Sequence, residues 1–413
     1  MKILNFGSCN IDFVYSVDSI VTAGETIATN GLELFPGGKG LNQSIATSRA
    51  GACVYHAGCL GYDGDMLEEI LSSAGVNLKY LKKVDTKNGH AIIQVDKTGE
   101  NCIFLYKGSN EMITEDFVDE VISNFDKGDF ILLQNEINNL SYIIEKAYKK
   151  GLQIVLNPSP FNESLKKIDL NMISYLILNQ IEGQCFTGKD SAESFLQYMN
   201  KHYPTVKVVL TLGKRGCIYS DSEQTIAHPC YSVKTVDTTG AGDTFIGYFV
   251  SSVASGKSYA DSIKIASCAS AIAVSRAGAA PSIPTIDEVE KGLLNLQIYD
   301  REKEKRQEIL KSKLDKYLED NLKTATLTEL SKHLGYSDSY TGTVIKNIVG
   351  VSFSDYLQKK RCALAASMLL NTEMPIQSII NTVGYENESF FRKKFKEEYG
   401  LSPLKYRKTR KDS

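Results

Sequence analysis

The 413-residue chain is too long for one ordinary core, and its 42% apolar and 23% charged residues are the balance of a soluble globular protein, so two or three domains are expected. No run approaches the roughly 18 apolar residues of a membrane span, residues 1–6 pass straight into Gly7, Ser8 and Asp12 without a leader's apolar stretch, and nine cysteines without a C-x-x-C pair and five histidines without ligand spacing argue for reduced thiols in the cytoplasm and against a structural metal. Net charge is −2, but residues 300–413 hold 22 Lys+Arg against 16 Asp+Glu and the remainder 25 against 33, a basic tail on an acidic body that points to a polyanionic partner for the tail alone.

From the N-terminus to about residue 290, short β-rich apolar runs alternate with helix-like segments, which predicts a largely parallel α/β sheet. The first run leads into Gly7-Ser8-Cys9-Asn10-Ile11-Asp12. Next comes Gly37-Gly38-Lys39-Gly40-Leu41-Asn42-Gln43, which lacks the G-x-x-x-x-G-K-[ST] spacing of a P-loop. Residues 91–95 and 102–106 flank Asp96-Lys97-Thr98-Gly99 and read as a β-hairpin. With residues 11–34 the hairpin is expected to form a small antiparallel layer over the main sheet, a lid suited to excluding water from a site beneath it.

Four further runs, Ile131-Leu132-Leu133, Ile154-Val155-Leu156, Leu176-Ile177-Leu178 and Val208-Val209-Leu210, end in polar or turn residues: Gln134-Asn135-Glu136, Asn157-Pro158, Asn179 and Thr211-Leu212-Gly213. Ligands of open α/β sheets bind at the carboxyl ends of strands, so these are candidate site residues as a set. Residues 183–189 repeat the P-loop spacing, but Asp190 stands where Ser or Thr must meet Mg2+.

Asp237-Thr238-Thr239-Gly240-Ala241-Gly242-Asp243 opens an amphipathic helix carrying Phe245, Ile246, Phe249, Val250 and Val253 and ending near Gly256. Glycines at a helix start let the backbone approach a ligand, and free N–H groups with the helix dipole favour an anion there. A carboxylate in that place repels phosphate, and makes sense as a base taking the proton from an attacking hydroxyl. On this segment alone, a capped helix start and a phosphoryl-transfer loop are equally good readings.

Pro281 and Pro284 close the α/β region, and Asp300-Arg301-Glu302-Lys303-Glu304-Lys305-Arg306 reads as a solvated helical linker. The remainder of the chain is all-helical and internally repeated. Gly335-Tyr336 recurs as Gly384-Tyr385, and Gly350-Val351-Ser352-Phe353 through Tyr356 recurs as Gly400-Leu401-Ser402-Pro403 through Tyr406, so two similar helical units are expected. Thr326-x-x-Glu329 predicts a capping box before Leu327, Leu330 and Leu334, then a turn at Gly335 and a second helix over residues 339–349. The pattern returns with Ile376, Ile379 and Val383, Gly384, and a helix over residues 387–399. Two helix-turn-helix units are the simplest reading. The second recognition helix carries Arg392, Lys393, Lys394 and Lys396, whereas the first offers mainly Lys346, with Gly342 and Thr343 beside it. The second is therefore expected to dominate contacts to double-stranded DNA.

Residues 1 to about 290 resemble the ribokinase (PfkB) family in ordered motifs: Gly7 to Asp12, Gly37 to Gln43, Asn157-Pro158-Ser159-Pro160, Asn179-Gln180-Ile181-Glu182, Thr211-Leu212-Gly213-Lys214-Arg215-Gly216 and Asp237 to Asp243. Residues 309–406 resemble the AraC-type DNA-binding domain, although Ser331 and Ile380 replace the usual small Ala at two packing positions. The fold implied is a doubly wound, mostly parallel α/β sheet with a small β lid, followed by an all-α domain. Its expected limits are 1–297 for the kinase, 298–306 for the charged linker and 307–413 for the DNA reader.

The resemblance implies ATP-dependent phosphorylation of a small sugar with Mg2+ and K+. Asp243 would be the catalytic base, and the amides of Gly240, Ala241 and Gly242 the anion hole. Asn179 and Glu182 would help hold Mg2+ and its waters, and Thr211, Gly213 and Gly216 would line the nucleotide site with Asn179. Asp237, Thr239, Ala273, Arg276, Gly278 and Ser282 fall where monovalent-cation ligands are expected. Asn10, Asp12, Gly38, Lys39, Asn42 and Glu136, with Asp243, fall on positions that contact ribose in the family. Ribose is thus favoured, while deoxyribose, another pentose and a nucleoside stay open, with Cys9 and His90 beside the motifs. AraC-type regulators sense a small molecule and dimerise through the partner domain, so a homodimer is implied. A sensor without turnover is the rival reading.

Overall fold

A computed structural model describes residues 1–408, the side chains of residues 301–304 lying outside the described residues. The chain divides into two compact units, Met1–Tyr299 and Asp300–Ser413. The strands are β1 (Ile3–Phe6), β2 (Asn10–Ser16), β3 (Gly31–Gly37), β4 (Val54–Leu60), β5 (Asn77–Lys83), β6 (Gly89–Val95), β7 (Asn101–Tyr106), β8 (Phe130–Gln134), β9 (Gln153–Asn157), β10 (Tyr175–Asn179), β11 (Lys207–Thr211), β12 (Cys217–Ser220) and β13 (Thr225–His228). Nine of them form one sheet in the order β13-β12-β11-β10-β9-β8-β1-β4-β5. Pairing is parallel from β5 to β11 and antiparallel only at β12 and β13.

Both faces of this sheet are covered, which is why its strands read as unbroken apolar runs. On β8, Phe130 and Leu132 join one core with Leu41, Ile45, Phe245 and Phe249. Ile131 and Leu133 join the other, with Val118, Ile143 and Leu196. On the first face helix Lys39–Arg49 packs on helix Ala241–Ala254. A side chain at Gly247 would put its Cβ 2.4 Å from that of Ala46, so only glycine lets the helices approach this closely.

The lid is a separate four-stranded sheet, β3-β2-β6-β7. Its two hairpin pairs, β2–β3 and β6–β7, are antiparallel, but β2 and β6 run parallel. The layer is mixed rather than antiparallel, because β2 and β6 leave the main sheet from the same end.

The second unit is all-helical: Arg301–Asn321, Leu327–Leu334, Asp338–Val349, Phe353–Asn371, Ile376–Thr382, Glu388–Tyr399 and Pro403–Lys408. The charge run expected as a helical linker is helical and continues without a break as the first of these helices; the side chains of Arg301 to Glu304 there lie outside the described residues. Two small cores flank helix Phe353–Asn371, which contributes Leu357 to the one holding Leu330 and Ile345, and Ala365 and Leu369 to the one holding Phe391 and Phe395. The expected capping box at Thr326 is only half formed. Its hydroxyl accepts from the amide of Glu329 at 3.2 Å, but the Glu329 carboxylate pairs with Lys332 one turn on.

Candidate functional site

Beside the carboxyl ends of β9, β10 and β11 lies a cavity of about 210 Å³, bordered by Lys39, Asn157, Asn179, Glu182, Thr211, Thr238, Gly240, Gly242 and Asp243. Six of the expected catalytic, nucleotide and Mg2+ residues therefore meet there, with Lys39 from the sugar set. Gly213, Gly216 and Ala241 do not border it. Gly216, at φ 88° with its Cβ position 2.0 Å from the His228 carbonyl, has a structural reason to be glycine.

Gly240 adopts φ 71° and starts helix Ala241–Ala254 without a side-chain cap, so the first amides are left for a ligand. The Ala241 amide makes a long bond of 3.3 Å to Thr238, leaving Gly240 and Gly242 as the amides at the cavity. Asp243 is 7% exposed. Each of its oxygens accepts one amide: Oδ2 from Asn42 Nδ2 at 3.1 Å and Oδ1 from Gln43 Nε2 at 2.9 Å. Lys39 is half-buried. Burial opposes its charge, yet the carboxylates of Asp243, Glu136 and Glu182 hold its ammonium above the ordinary range.

The sugar candidates gather where β2, β3 and the start of helix Lys39–Arg49 converge. Glu136 Oε2 accepts from the Lys39 amide at 2.9 Å and from the Ser8 hydroxyl at 2.5 Å. Gly37 pairs with Asn10 across β2–β3, and a Cβ on it would lie 2.1 Å from Asp12 Oδ2; Gly38 follows at φ 94°. The di-glycine thus makes room for a carboxylate. The Asp12 carboxylate makes no hydrogen bond among the described residues, and burial, then the charge of Glu136, pushes it up to about 7. Glu136 is raised by burial against the pull of Lys39. Asn42 Oδ1 is buried with no hydrogen-bond partner.

Asn110, Asn5 and His56, not singled out from the sequence, complete the site together with Gln134, Gln43 and Cys9. Asn110 (Nδ2) donates to Asn10 Oδ1 at 2.8 Å, and its Oδ1 accepts from the Cys9 amide at 3.0 Å. Gln43 is held by Gln134, whose Nε2 also donates to Asn5. Asn5 and Gln134 carry a signal as polar residues in or ending apolar strands; Asn110, in the loop after β7, carries no such signal. Cys9 lies 3.3 Å from Nε2 of His56, which burial drives down to about 4 and so keeps neutral.

For the metals, Asn179 and Glu182 form a closed capping box on helix Gln180–Thr187, with bonds of 2.9 Å in both directions. No group of three or more His, Cys, Asp or Glu able to hold a metal occurs among the described residues. Of the two carboxylates at the cavity, Asp243 is held by Asn42 and Gln43, and Glu182 fits Mg2+, which keeps several waters and binds substrate phosphates. Of the monovalent-cation candidates, Thr239 and Gly278 meet at Asp237, which accepts from the amide of each at 2.9 Å. Arg276 pairs with Glu288, and the Ser282 hydroxyl donates to the Ala279 carbonyl at 2.7 Å. These side chains are satisfied, so a cation here would fit backbone carbonyls.

In the second unit Ser337 and Asn387 cap the two recognition helices. Lys346, Arg392, Lys393 and Lys396 are exposed, but Lys394 is half-buried. Arg392 pairs with Glu388 and Lys394 with Glu397 along the same helix. No helix among the described residues is long and apolar enough to cross a membrane.

The model of pfkB family carbohydrate kinases matches residues 1–286, and that of a helix-turn-helix domain residues 330–409. The ribokinase of Bacillus subtilis is 33% identical over 290 residues, 69% of this chain and 97% of that protein. The crystal structure of ribokinase from Cryptococcus neoformans with ADP superposes with a TM-score of 0.64 at 32% identity, covering 70% of this chain and 99% of that one. Arabidopsis thaliana ribokinase with ribose and ATP gives 0.64 at 29%, covering 70% and 98%.

Proposed function

The chain belongs to the pfkB family of carbohydrate kinases, an ATP-dependent kinase fused to an AraC-type helix-turn-helix domain, and from that premise we propose that it phosphorylates D-ribose to ribose 5-phosphate and couples the occupancy of that site to sequence-specific DNA binding. One observation carries the sugar assignment. Asn42 holds Asp243 through its nitrogen while its buried oxygen stays unpaired, an acceptor that a polyol hydroxyl would satisfy. Asp12, Glu136 and the free nitrogen of Asn10 offer further partners to neighbouring hydroxyls.

In this reading Asp243 takes the proton of the attacking hydroxyl as the new O–P bond forms and ADP departs. Lys39 and the amides of Gly240 and Gly242 meet the charge that grows on the transferred phosphoryl group. Mg2+ beside Glu182 would neutralise phosphate charge, and K+ held by carbonyls near Asp237 and Gly278 would brace the start of helix Ala241–Ala254. The homodimer is supported by apolar residues left exposed on the lid strands, Leu32, Leu34, Phe104 and Tyr106 among them.

The test is turnover across ribose, deoxyribose, fructose and nucleosides, with and without K+, beside Asp243→Asn. Ribose is expected to be the best acceptor and the variant to lose about 10²–10⁴-fold in kcat. Binding of ribose without turnover on any acceptor would leave a sensor, the rival reading. Unchanged operator affinity under saturating ribose and an ATP analogue would remove the coupling.

A further inference from the structure

Gln43 is fully buried and does not border the cavity, yet no polar atom of its side chain is idle. Its Nε2 donates to Asp243 Oδ1 at 2.9 Å and to Asn157 Oδ1 at 3.2 Å, and its Oε1 accepts from Gln134 Nε2 at 2.7 Å. Gln134 is itself anchored on Asn5 of β1, and Asn5 Nδ2 donates to the Gly40 carbonyl and to Ser44, both at 2.7 Å. The orientation of the Gln43 amide is thereby locked. Its oxygen is engaged by an N–H from Gln134, so its NH2 must face Asp243. Asn42, the other donor, is held at one end only, its oxygen being unpaired.

We propose that Gln43 is the positioning residue of the base: it keeps Oδ1 of Asp243 a permanent acceptor, so that the proton leaving the sugar hydroxyl is received on Oδ2. An NH2 group donates only, and the hydroxyl oxygen of a protonated carboxyl is a weaker acceptor than a carboxylate oxygen, so protonation on Oδ1 would weaken this bond. Oδ2 faces Asn42, whose amide has the freedom to let go of it. The balance is simple: the O–H bond of the hydroxyl breaks, the proton ends on Oδ2, the oxygen's electron pair forms the bond to the terminal phosphorus of ATP, and the bond from that phosphorus to the bridging oxygen breaks as ADP leaves with its electron pair. The inference rests on Asp243 being the base.

The charged groups around Asp243 are Lys39, Glu136 and Glu182, and all three remain in the variants. Gln43→Glu keeps volume and the acceptor toward Gln134 but puts a second carboxyl where the donor was, whereas Gln43→Leu removes donor and acceptor without adding charge. For both, kcat is expected to fall about 10–100-fold, as for a misplaced catalytic group, with KM for sugar and ATP changed less than about threefold. The ascending limb of kcat against pH should move to higher pH, since losing a donor to the charged form favours protonation. Gln134→Met, which loosens the lock and leaves the donor, should shift the limb in the same direction by less. A Gln43→Leu enzyme that folds and shows an unshifted profile, or unchanged kcat, would overturn the proposal. Should Asp243→Asn retain full kcat, the failure would lie with the base itself, whatever Gln43 does.

Discussion

Around Asp243 the polar side chains are buried and hold one another, from Asn42 and Gln43 through Gln134 to Asn5; on the recognition helices all the candidate cations but Lys394 stand exposed, on a scaffold closed by apolar side chains. The small cores of the second unit are closed by Leu330, Ile345, Phe391 and Phe395. The ion pairs of its second recognition helix, Arg392–Glu388 and Lys394–Glu397, each span a single turn of that helix, a kind worth only tenths of a kcal/mol. The difference concerns coupling. Residues that share a buried network change together, and their energies do not add, whereas separated surface charges act one by one. A catalytic site needs sub-ångström order and a DNA reader needs replaceable contacts.

The largest test of this contrast is Gly247→Ala. The added Cβ meets Ala46 and the Thr47 amide at 2.4 and 2.7 Å, so the helices must part. Overpacking of this kind costs about 1–3 kcal/mol, read as a lowered urea midpoint. Because Asn42 and Gln43 ride on the displaced helix, kcat should fall as well. At Gly31, where a Cβ meets nothing within 4 Å, alanine should leave both within error. A Gly247→Ala enzyme with lowered stability and full kcat would show that the network tolerates slack and would break the comparison.

Next comes the pH dependence of sugar binding. Asp12, raised to about 7 by burial and then by Glu136, binds its proton more tightly in the folded protein than in the unfolded chain. Its contribution to stability is therefore present below about pH 4, the ordinary carboxylate value, and is lost as pH rises through about 7. If the ionised carboxylate accepts a sugar hydroxyl, affinity for ribose should climb severalfold between about pH 6 and pH 8. Calorimetric titration of ribose at several pH values checks this, and Asp12→Asn should flatten the curve. A wild-type affinity independent of pH would mean that the sugar does not distinguish the two forms of Asp12, and an affinity that falls as pH rises would mean that Asp12 binds sugar in its protonated form.

Much of this is legible from residue order because local rules and function coincide there. Apolar runs ending in Glu136, Asn157, Asn179 and Thr211 locate the carboxyl edge of a parallel sheet, and the glycines before Asp243 announce a helix start open to anions. The hidden part depends on contacts across long stretches of chain. Asn110 reaches Asn10 across 100 positions and Gln43 reaches Asp243 across 200, and neither partner is implied by spacing. The parallel β2–β6 pair is hidden for the same reason, since a hairpin pattern reports only its own two strands. At Thr326 the capping pattern does mark a helix start, but Lys332 competes for the Glu329 carboxylate.

The smallest effects sharpen the contrast from the side of the reader. Lys393 and Lys396 are three positions apart on one exposed helix face and make no ion pair among the described residues. Each is free to neutralise a phosphate, so replacing either by Ala should weaken operator binding severalfold and lower the salt slope by about 0.9. The double variant should show the product of the two losses. Lys394 is half-buried and paired with Glu397, so its removal should matter less than that of either neighbour. Lys346, alone on a first recognition helix with no other Lys or Arg, should lose about as much as one of the pair at most, leaving most of the slope with the second unit. Equal losses at Lys346 and Lys393 would overturn that ranking. Strong non-additivity between Lys393 and Lys396 would say that the reader, too, works as a coupled network, and the division between the two surfaces would fall.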